Sequence, residues 1–485
     1  MRSIARQNKD LEIFLTLISV FSLTVFIFIG WPFDYYFQND EFGHLPLAMK
    51  GKFIVNSLPR PLATFTLYCD YKIWGLQPFG YHITNLALHV VNCGLVYHFS
   101  FLIQSNEENV NRRKIKAYVA SLIFLFYGFH SETIFWISGR GGSLAAFFAL
   151  LSLIFYLKRP KSNWNILLSL IFFLSGLLSY ETSWIILFAI PVISYMRGNL
   201  RKEWTVILLF WLLFSFYIAW RFLRIGALGS AYILGSSKSI SLLLGNFNRL
   251  IARCFLPPMD SVTLFIVCYS LFLLLLFAYI IYCIKKTKTF SDRKAIYLIL
   301  FLIAPFTAIS IGISIHDSEG ERFIYVASIF LILLLVEILF DLFKKLNYKI
   351  WLVLIAFIGI HIYFLVQSAQ DYRIAGKMIK EILNCAKTSK INVQKLYVVN
   401  LPAQLKGALI FRNSFAPALK LLAPGLEFNE LQVIQPVILQ KGYKIQCKKI
   451  AYHDMEGSLH QFGIYFNSQS DLVIWFTKEN VYFIE

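Results

Sequence analysis

Long apolar stretches recur along the chain, and most of them are long enough to cross a lipid bilayer. A helix needs about 20 apolar residues to span roughly 30 Å of hydrocarbon. The stretches near this length are 12–33, 80–104, 117–135, 142–157, 164–180, 182–196, 204–222, 261–284, 295–315, 323–341 and 350–368. The sequence therefore predicts an all-α polytopic membrane protein with about 11 transmembrane helices, which excludes a soluble enzyme.

The composition and the charge distribution fit this class and predict an orientation. The 485 residues are 58% hydrophobic and 15% charged, whereas a soluble domain has about 25% charged residues. The net charge of +19 comes from Lys and Arg clusters in alternate loops, which is typical of cytoplasmic loops and argues against a nucleic-acid partner. We therefore expect a cytoplasmic N terminus and an outer position for the first outer loop, 34–79. The Lys, Ile and Phe content and the lack of an Asn-x-Ser/Thr sequon favour a bacterial inner membrane.

Residues 369–485 have a different pattern from the rest of the chain. A helical pattern covers 369–388, and a short second one follows Asn413. The β-rich runs in this part are 396–400, 431–439, 463–467 and 471–476. We predict a transmembrane domain, 1–368, followed by a small extracytoplasmic α/β domain, 369–485.

Two cysteines, Cys385 and Cys447, fall within this predicted α/β domain. An extracytoplasmic compartment is oxidising and permits a disulfide bond. The sequence leaves open both a disulfide and two unpaired thiols, and we expect unpaired thiols.

Carboxylates and arginines gather at the outer ends of several predicted helices. The carboxylates are Asp40, Glu41, Glu132, Glu181, Glu319 and Glu321, and the arginines are Arg140, Arg221, Arg224 and Arg322. If the helices form a bundle, these side chains surround one extracytoplasmic cavity. A guanidinium group binds phosphate well because its planar donors are always charged. The pattern predicts a lipid-phosphate substrate that carries a group to be transferred.

The first outer loop contains the best catalytic candidate. Asp40 and Glu41 follow the first apolar stretch and precede a segment with amphipathic helical spacing. Neighbouring carboxylates at a helix start point in different directions. One of them can therefore face the cavity as a general base while the other caps the helix or binds a metal.

Several motifs, taken in order, resemble those of the GT-C polyprenyl-phosphate-sugar glycosyltransferases, in particular the protein O-mannosyltransferase-like branch. After the acid pair come RPLATFTLYCDYKIWGLQPFGYHITNLALHVVNCGLVY at 60–97, GFHSETIFWISGRGG at 128–142, LSYETSWIILFAIPVI at 178–193, WRFLRIGALGS at 220–230 and GERFIYVASIFLILL at 320–334. The resemblance covers roughly residues 10–370 and implies a GT-C-like fold.

The resemblance implies transfer of a sugar from a polyprenyl-phosphate donor to an acceptor on the outer face of the membrane, which can be a lipid, a glycan or a protein. Asp40 matches the general base and Glu41 its partner. The implied substrate-binding residues are His130, Glu132 and Arg140 of the His-x-Glu motif, Glu181 of the Ser-x-Glu segment, and Arg322 with Tyr325 near the donor phosphate. Arg221 is a further candidate for the phosphate.

This sequence departs from the family pattern in two places, and three alternatives remain open. Asn39 precedes the acid pair, and Tyr180 stands where the family has lysine. The resemblance specifies no cofactor, and a divalent metal is one alternative, because His130 can either orient Glu132 or bind a metal ion. The other functional hypotheses are a lipid-linked glycan polymerase or ligase, and a lipid or glycan transporter. A transporter predicts inverted repeats and charges at the membrane midplane.

Two groups of polar residues within the spans have structural interpretations. His82 and His89 share a helix face with Asn85 and Asn92, and we expect hydrogen bonds between helices there instead of a metal site. Glu337 lies near the end of its span, and we expect its side chain to extend to the cytoplasmic surface.

Overall fold

The structure, a computed structural model, describes residues 34–54, 60–105, 109–158, 162–225, 239–287, 292–343, 348–387, 391–443, 445–450, 455–464, 470–477 and 480–484. The predicted span 12–33 lies outside the described residues. Up to residue 387 the described residues form helices joined by turns. The α-helices of this part are α1 Glu41–Met49, α2 Pro61–Trp74, α3 Pro78–Ile103, α4 Val110–Phe126, α5 Ser131–Phe135, α6 Arg140–Leu157, α7 Asn163–Leu177, α8 Ile186–Met196, α9 Trp204–Ile225, α10 Ile240–Arg253, α11 Val262–Thr287, α12 Asp292–Ile303, α13 Tyr325–Leu342 and α14 Tyr348–Lys387.

Among the described residues, six helical segments are long and apolar enough to cross a membrane. They are Pro78–Ile103, Ile137–Leu157, Trp204–Arg224, Val262–Tyr279, Tyr325–Leu342 and Tyr348–Lys387. Two further apolar helical segments, Asn163–Leu177 and Glu181–Met196, are shorter. The polytopic helical class is confirmed, whereas the predicted number of about 11 spans is not.

Two predicted spans are broken in the structure. The chain bends by 56° between α4 and the segment Gly128–Phe135. Gly128 is required there, because a Cβ atom would come within 2.8 Å of the carbonyl oxygen of His361 in α14. The predicted span 295–315 ends as an α-helix at Ile303. A short 3₁₀ turn, Ala304–Ala308, follows with Pro305 near its start, since proline cannot continue an α-helical hydrogen-bond ladder.

Polar side chains inside the bundle join helices to one another. The ring Nδ1 of His89 lies 2.7 Å from the hydroxyl of Tyr325, and the Asn92 amide donates to the carbonyl of Ser143 at 2.9 Å. These contacts confirm the expected hydrogen bonds between helices. The prediction for Glu337 is wrong: its side chain is buried and pairs with Lys116 Nζ at 2.8 Å, because a neighbouring helix supplies the opposite charge within the bundle.

Residues 391–484, here called the C-terminal unit, combine two small sheets with helices α15 Phe415–Leu422 and α16 Glu456–Gln461. The strands are β1 Ile391–Val399, β2 Pro402–Leu405, β3 Ala408–Leu409, β4 Leu426–Ile434, β5 Val437–Leu439, β6 Gln446–Ile450, β7 Asp471–Phe476 and β8 Asn480–Ile484. One sheet has the order β4-β1-β7-β8-β6, with β1 parallel to both neighbours, and the other has the order β3-β2-β5. The predicted α/β character is therefore confirmed. Of the predicted strand 463–467, residues 465–467 lie outside the described residues.

Helix α14 connects the last predicted span directly to the C-terminal unit. It runs for 40 residues without interruption, so the helical pattern predicted for 369–388 is its continuation. Its second half packs into the same apolar core as the strands, through residues such as Ile379, Ile382 and Leu383. A disulfide joins Cys385, near the end of α14, to Cys447 in β6, with the Cα atoms 5.9 Å apart. The expectation of unpaired thiols is therefore wrong.

Candidate active site

A cavity of about 560 Å³ lies where the loops at one end of the helices meet the C-terminal unit. Its charged lining residues come from distant parts of the chain: Asp40, His44, Arg60, Glu181, Arg221, Glu319, Arg322 and Arg412. Aromatic side chains line it as well: Trp136, Tyr180, Trp184, Phe214, Tyr217 and Phe323. The cavity thus combines both signs of charge with flat apolar surfaces.

Asp40 lines this cavity from the turn that precedes α1. Its carboxylate accepts a hydrogen bond of 2.8 Å from the side-chain amide of Asn39. Glu181 and Glu319, the other two carboxylates of the cavity, are both salt-bridged to arginine. Within the described part of the chain, by contrast, no Lys, Arg or His nitrogen lies within 4.0 Å of the Asp40 carboxylate. Asp40 is therefore the cavity carboxylate whose charge is least compensated.

Glu181 is held between two arginines. Arg60 Nη2 and Arg221 Nη2 each lie 2.8 Å from one of its carboxylate oxygens, and the Arg60 guanidinium stacks 4.0 Å above the Tyr180 ring. Burial raises the pKa of Glu181, but the two arginines together outweigh it and hold this pKa at about 2. Glu181 is thus a permanent anion that orients two cations at the cavity wall.

Arg322 reaches the cavity from a tight turn that Glu132 stabilises. The Glu132 carboxylate is fully buried, accepts hydrogen bonds from the backbone N–H of Gly320 at 3.0 Å and of Arg322 at 2.9 Å, and pairs with the Arg322 guanidinium. Gly320 has a φ of 97°, a conformation that glycine adopts without steric cost. Glu132 does not line the cavity, but it fixes a residue that does.

A second buried ion pair supports the same turn. Arg253 is fully buried and lies 2.7 Å from Glu321, and its Nε donates to the carbonyl of Ser314 at 3.0 Å. Ser131, next to Glu132, donates to the other Glu321 oxygen at 2.5 Å. Glu132 and the ion pair of Arg253 with Glu321 therefore both hold the loop that carries Arg322.

Glu41, the predicted partner of Asp40, lies outside the cavity lining. It is 1% exposed and accepts hydrogen bonds from the backbone N–H of Gln38 at 2.6 Å and of Ser138 at 3.2 Å. Burial raises the pKa of its carboxyl to about 8, although the backbone donors lower it. Glu41 joins the loop before α1 to the turn before α6.

Three other predicted site residues lie behind the cavity wall. His130 contacts the Ser328 hydroxyl at 2.8 Å, and the Tyr325 hydroxyl contacts His89; neither residue lines the cavity. Arg140 pairs with Asp70 at 2.6 Å and lines a neighbouring pocket of about 60 Å³. The structure thus brings Asp40, Glu181, Arg221 and Arg322 together in one cavity, but not His130, Arg140 and Tyr325 with them.

Sequence comparison finds relatives that match part of the chain. No protein-family model matches the chain. Protein O-mannosyl-transferase TMTC2 of Homo sapiens is 32% identical over 132 residues, which are 27% of this chain and 14% of that protein. Tmtc3 of Drosophila melanogaster is 28% identical over 182 residues, 33% of this chain and 18% of that protein. The chain therefore matches less than a fifth of the length of either relative.

Solved structures match over almost the whole chain. ArnT from Cupriavidus metallidurans in the apo state has a TM-score of 0.51 at 13% identity, covering 95% of this chain and 92% of that one. The same protein bound to undecaprenyl phosphate gives 0.49 at 9% identity. The chain has the GT-C fold. The resemblance to the protein O-mannosyltransferase-like branch is confirmed by the sequence relatives.

Three residues that line the cavity, Arg60, Arg412 and Asn413, were not predicted from the sequence as site residues. Arg60 carried a signal, because it opens the RPL motif and directly precedes Pro61, which begins α2. Arg412 and Asn413 carried none, because their place in the cavity depends on how the C-terminal unit packs against the loop 34–40. Among the described residues of this GT-C chain, no group of three or more His, Cys, Asp or Glu side chains is arranged to hold a metal ion.

The raised pKa of Glu41 gives the GT-C chain a testable pH dependence. Above about pH 4.5 the unfolded chain loses the Glu41 proton, while the folded protein keeps it up to about pH 8. The free energy of unfolding therefore falls with rising pH, by up to about 1.4 kcal/mol per unit for this group. Thermal unfolding midpoints between pH 5 and 8 should show Glu41→Gln gaining on the wild type as the pH rises. The exposed control Glu430→Gln should keep a constant offset, and a constant offset for Glu41→Gln would contradict the prediction.

Proposed function

We propose that the chain is a membrane glycosyltransferase that transfers a sugar from a polyprenyl-phosphate donor to an acceptor on the extracytoplasmic face. The observation that carries the proposal is the cavity itself, where Asp40, which has no salt bridge to any described residue, shares the lining with Arg60, Arg221 and Arg322. The names of the relatives, protein O-mannosyl-transferases, support the reaction class. The undecaprenyl phosphate bound to ArnT supports the donor class.

Asp40 acts as the general base in this proposal. An acceptor hydroxyl is a weak acid, and a carboxylate within hydrogen-bond reach removes its proton as the oxygen attacks the anomeric carbon. The C–O bond between the sugar and the phosphate breaks in the same displacement, and polyprenyl phosphate leaves as an anion. The anomeric configuration is inverted, because a single displacement occurs at that carbon.

The arginines hold the leaving phosphate in this scheme. Arg322 is the main candidate, since Glu132 fixes its turn while the guanidinium faces the cavity. Arg221 and Arg60 are the second pair of candidates, because Glu181 orients both of them. Fixed cations that need no rearrangement during the reaction stabilise a developing charge effectively. Glu41, His130, Arg140 and Tyr325 act indirectly, by keeping the surrounding helices and loops in place. The alternative is that a divalent metal ion, and not the arginines alone, stabilises the leaving phosphate.

We propose a bacterial inner membrane location with the cavity and the C-terminal unit outside. The Lys and Arg clusters of alternate loops support this orientation. The disulfide between Cys385 and Cys447 supports it as well, because such bonds persist in oxidising compartments. The proposed boundary between the transmembrane domain and the extracytoplasmic domain stays at 368/369. It divides the two by function, because α14 continues across it.

The test is sugar transfer by the purified full-length protein in nanodiscs. The donors are radiolabelled undecaprenyl-phosphate monosaccharides, nucleotide sugars and undecaprenyl-pyrophosphate oligosaccharides, and a bacterial membrane extract supplies the acceptors. We expect label to move from a monophosphate-linked monosaccharide and from neither of the other two donor classes. Transfer from the pyrophosphate donor would establish the polymerase or ligase alternative instead. Donor binding without any transfer would favour a transporter.

A further inference from the structure

Asn39 occupies an unusual position directly before the proposed base. Its backbone has a φ of 39°, in the left-handed region, and its side chain is 2% exposed. Asparagine is one of the few residues other than glycine that adopt this conformation readily. In the sequence, Asn39 is recognisable only as the residue that precedes the acid pair.

Both ends of the Asn39 amide are used, and they face different parts of the molecule. Its Nδ2 donates to the Asp40 carboxylate at 2.8 Å. Its Oδ1 accepts from the backbone N–H of Asn413 at 3.0 Å and from the Ser414 hydroxyl at 3.4 Å. Its backbone N–H donates to the carbonyl of Ile410 at 2.9 Å. The amide therefore links the C-terminal unit to Asp40.

This link orients the Asp40 carboxylate through a neutral amide donor instead of a cation. The Asn39 amide is the hydrogen-bond donor that the structure gives to the Asp40 carboxylate within the described residues. The amide itself cannot rotate freely, because the C-terminal unit holds its oxygen. A neutral donor can hold the direction of a catalytic carboxylate without placing a positive charge beside it.

We propose that Asn39 is a positioning residue, whose amide orients Asp40 towards the acceptor and is held in turn by residues 413 and 414. The inference rests on the proposed function of the cavity. It makes the C-terminal unit part of the catalytic machinery, because the orientation of the base depends on it.

Two substitutions separate positioning from simple anchoring. Asn39→Asp keeps an acceptor for residues 413 and 414 but replaces the donor to Asp40 by a charge. Asn39→Gly suits the left-handed backbone but removes both sets of hydrogen bonds. Asn429→Asp, in an exposed pair with Gln394, is the matched control. The assay measures kcat and the donor KM with the undecaprenyl-phosphate monosaccharide found active for the wild type.

We expect Asn39→Asp to lower kcat by about 100-fold, since small misplacement of a reacting group has effects of this size. The donor KM should stay within about threefold of the wild-type value, because the donor phosphate lies on the arginines. Asn39→Gly should lose a similar factor in kcat, and Asn429→Asp should behave as the wild type. Thermal unfolding midpoints report the fold of each variant.

A kcat of Asn39→Asp close to the wild-type value, with only Asn39→Gly impaired, would overturn the inference and leave Asn39 as an anchor for the C-terminal unit. If Asn39→Asp does not fold, Asn39→Gly decides together with its unfolding midpoint. A wild-type kcat, or a loss in kcat that is matched by a lower midpoint, refutes positioning. A loss in kcat at constant KM and an unchanged midpoint supports it, because a lost anchor would also lower the midpoint. An inactive wild type would refute the proposed function instead, so the two failures are distinguishable.

Discussion

Replacing Asp40 by asparagine should reduce sugar transfer by about 10²-fold to 10⁴-fold, the range that general bases contribute. Asparagine has nearly the same shape and can still accept the hydrogen bond from the Asn39 amide, but it cannot take a proton from the acceptor. Donor binding should persist, because the arginines proposed to hold the phosphate are unchanged. The measurements are kcat with the active donor and the dissociation constant of undecaprenyl phosphate.

Asp34→Asn is the matched control for this substitution. Asp34 lies in the same loop, outside the cavity lining, and pairs with Arg373 of α14; hydrogen bonding to Arg373 lowers the pKa of its carboxyl despite an opposing effect of burial. Its substitution should leave kcat within about threefold of the wild type, as expected for a partly exposed ion pair. Equal activity of Asp40→Asn and the wild type would leave the enzyme intact and remove Asp40 as its base.

The largest loss of stability should come from Arg253→Met. Arg253 is fully buried against Glu321 at 2.7 Å, and removal of one partner leaves the other as an uncompensated buried charge. Such changes lower the free energy of unfolding by about 3–5 kcal/mol. Burial raises the pKa of Glu321, which stays near 7 even with Arg253 beside it, so the variant should take up a proton there on folding near neutral pH. Denaturation in detergent at pH 7 measures the loss.

A double variant and a surface pair complete this experiment. Arg253→Met combined with Glu321→Gln removes the unpaired charge and should recover part of the lost stability. The exposed pair of Lys395 and Glu430, 3.6 Å apart, provides the control, since Glu430→Gln should change the free energy of unfolding by less than about 1 kcal/mol. A loss as small for Arg253→Met would contradict the assignment of Arg253 as the anchor of the Arg322 turn.

The sequence predicted those site residues whose position follows from the membrane spans. Asp40, Glu181, Arg221 and Arg322 lie near ends of predicted apolar stretches, and such ends on one side of a bilayer share one level. The hydropathy pattern alone therefore predicts that these four residues lie near one another. The choice of the cavity as the site follows from the same reasoning, and the structure added its volume and its aromatic lining.

The errors and omissions concern contacts between residues that are far apart in sequence. Lys116 is 221 residues from Glu337, and Cys385 is 62 residues from Cys447. No local pattern indicates such partners, because they depend on how the helices pack. The predicted number of about 11 spans is not confirmed, for a related reason. An apolar stretch has the same composition whether it crosses the membrane in one piece or breaks at a glycine or a proline.

Helix α14 sets the direction of the C-terminal unit as well as its distance from the membrane. Its 40 residues extend about 60 Å, roughly twice the thickness of the hydrocarbon. Because each residue of a helix adds about 100° of rotation, one inserted residue in the second half of α14 would turn residues 412 and 413 away from Asp40. Seven inserted residues would nearly restore the angle but would displace the unit by about 10 Å. The junction therefore tolerates neither change of length, because one alters the rotation and the other the distance, whereas a flexible linker would tolerate both.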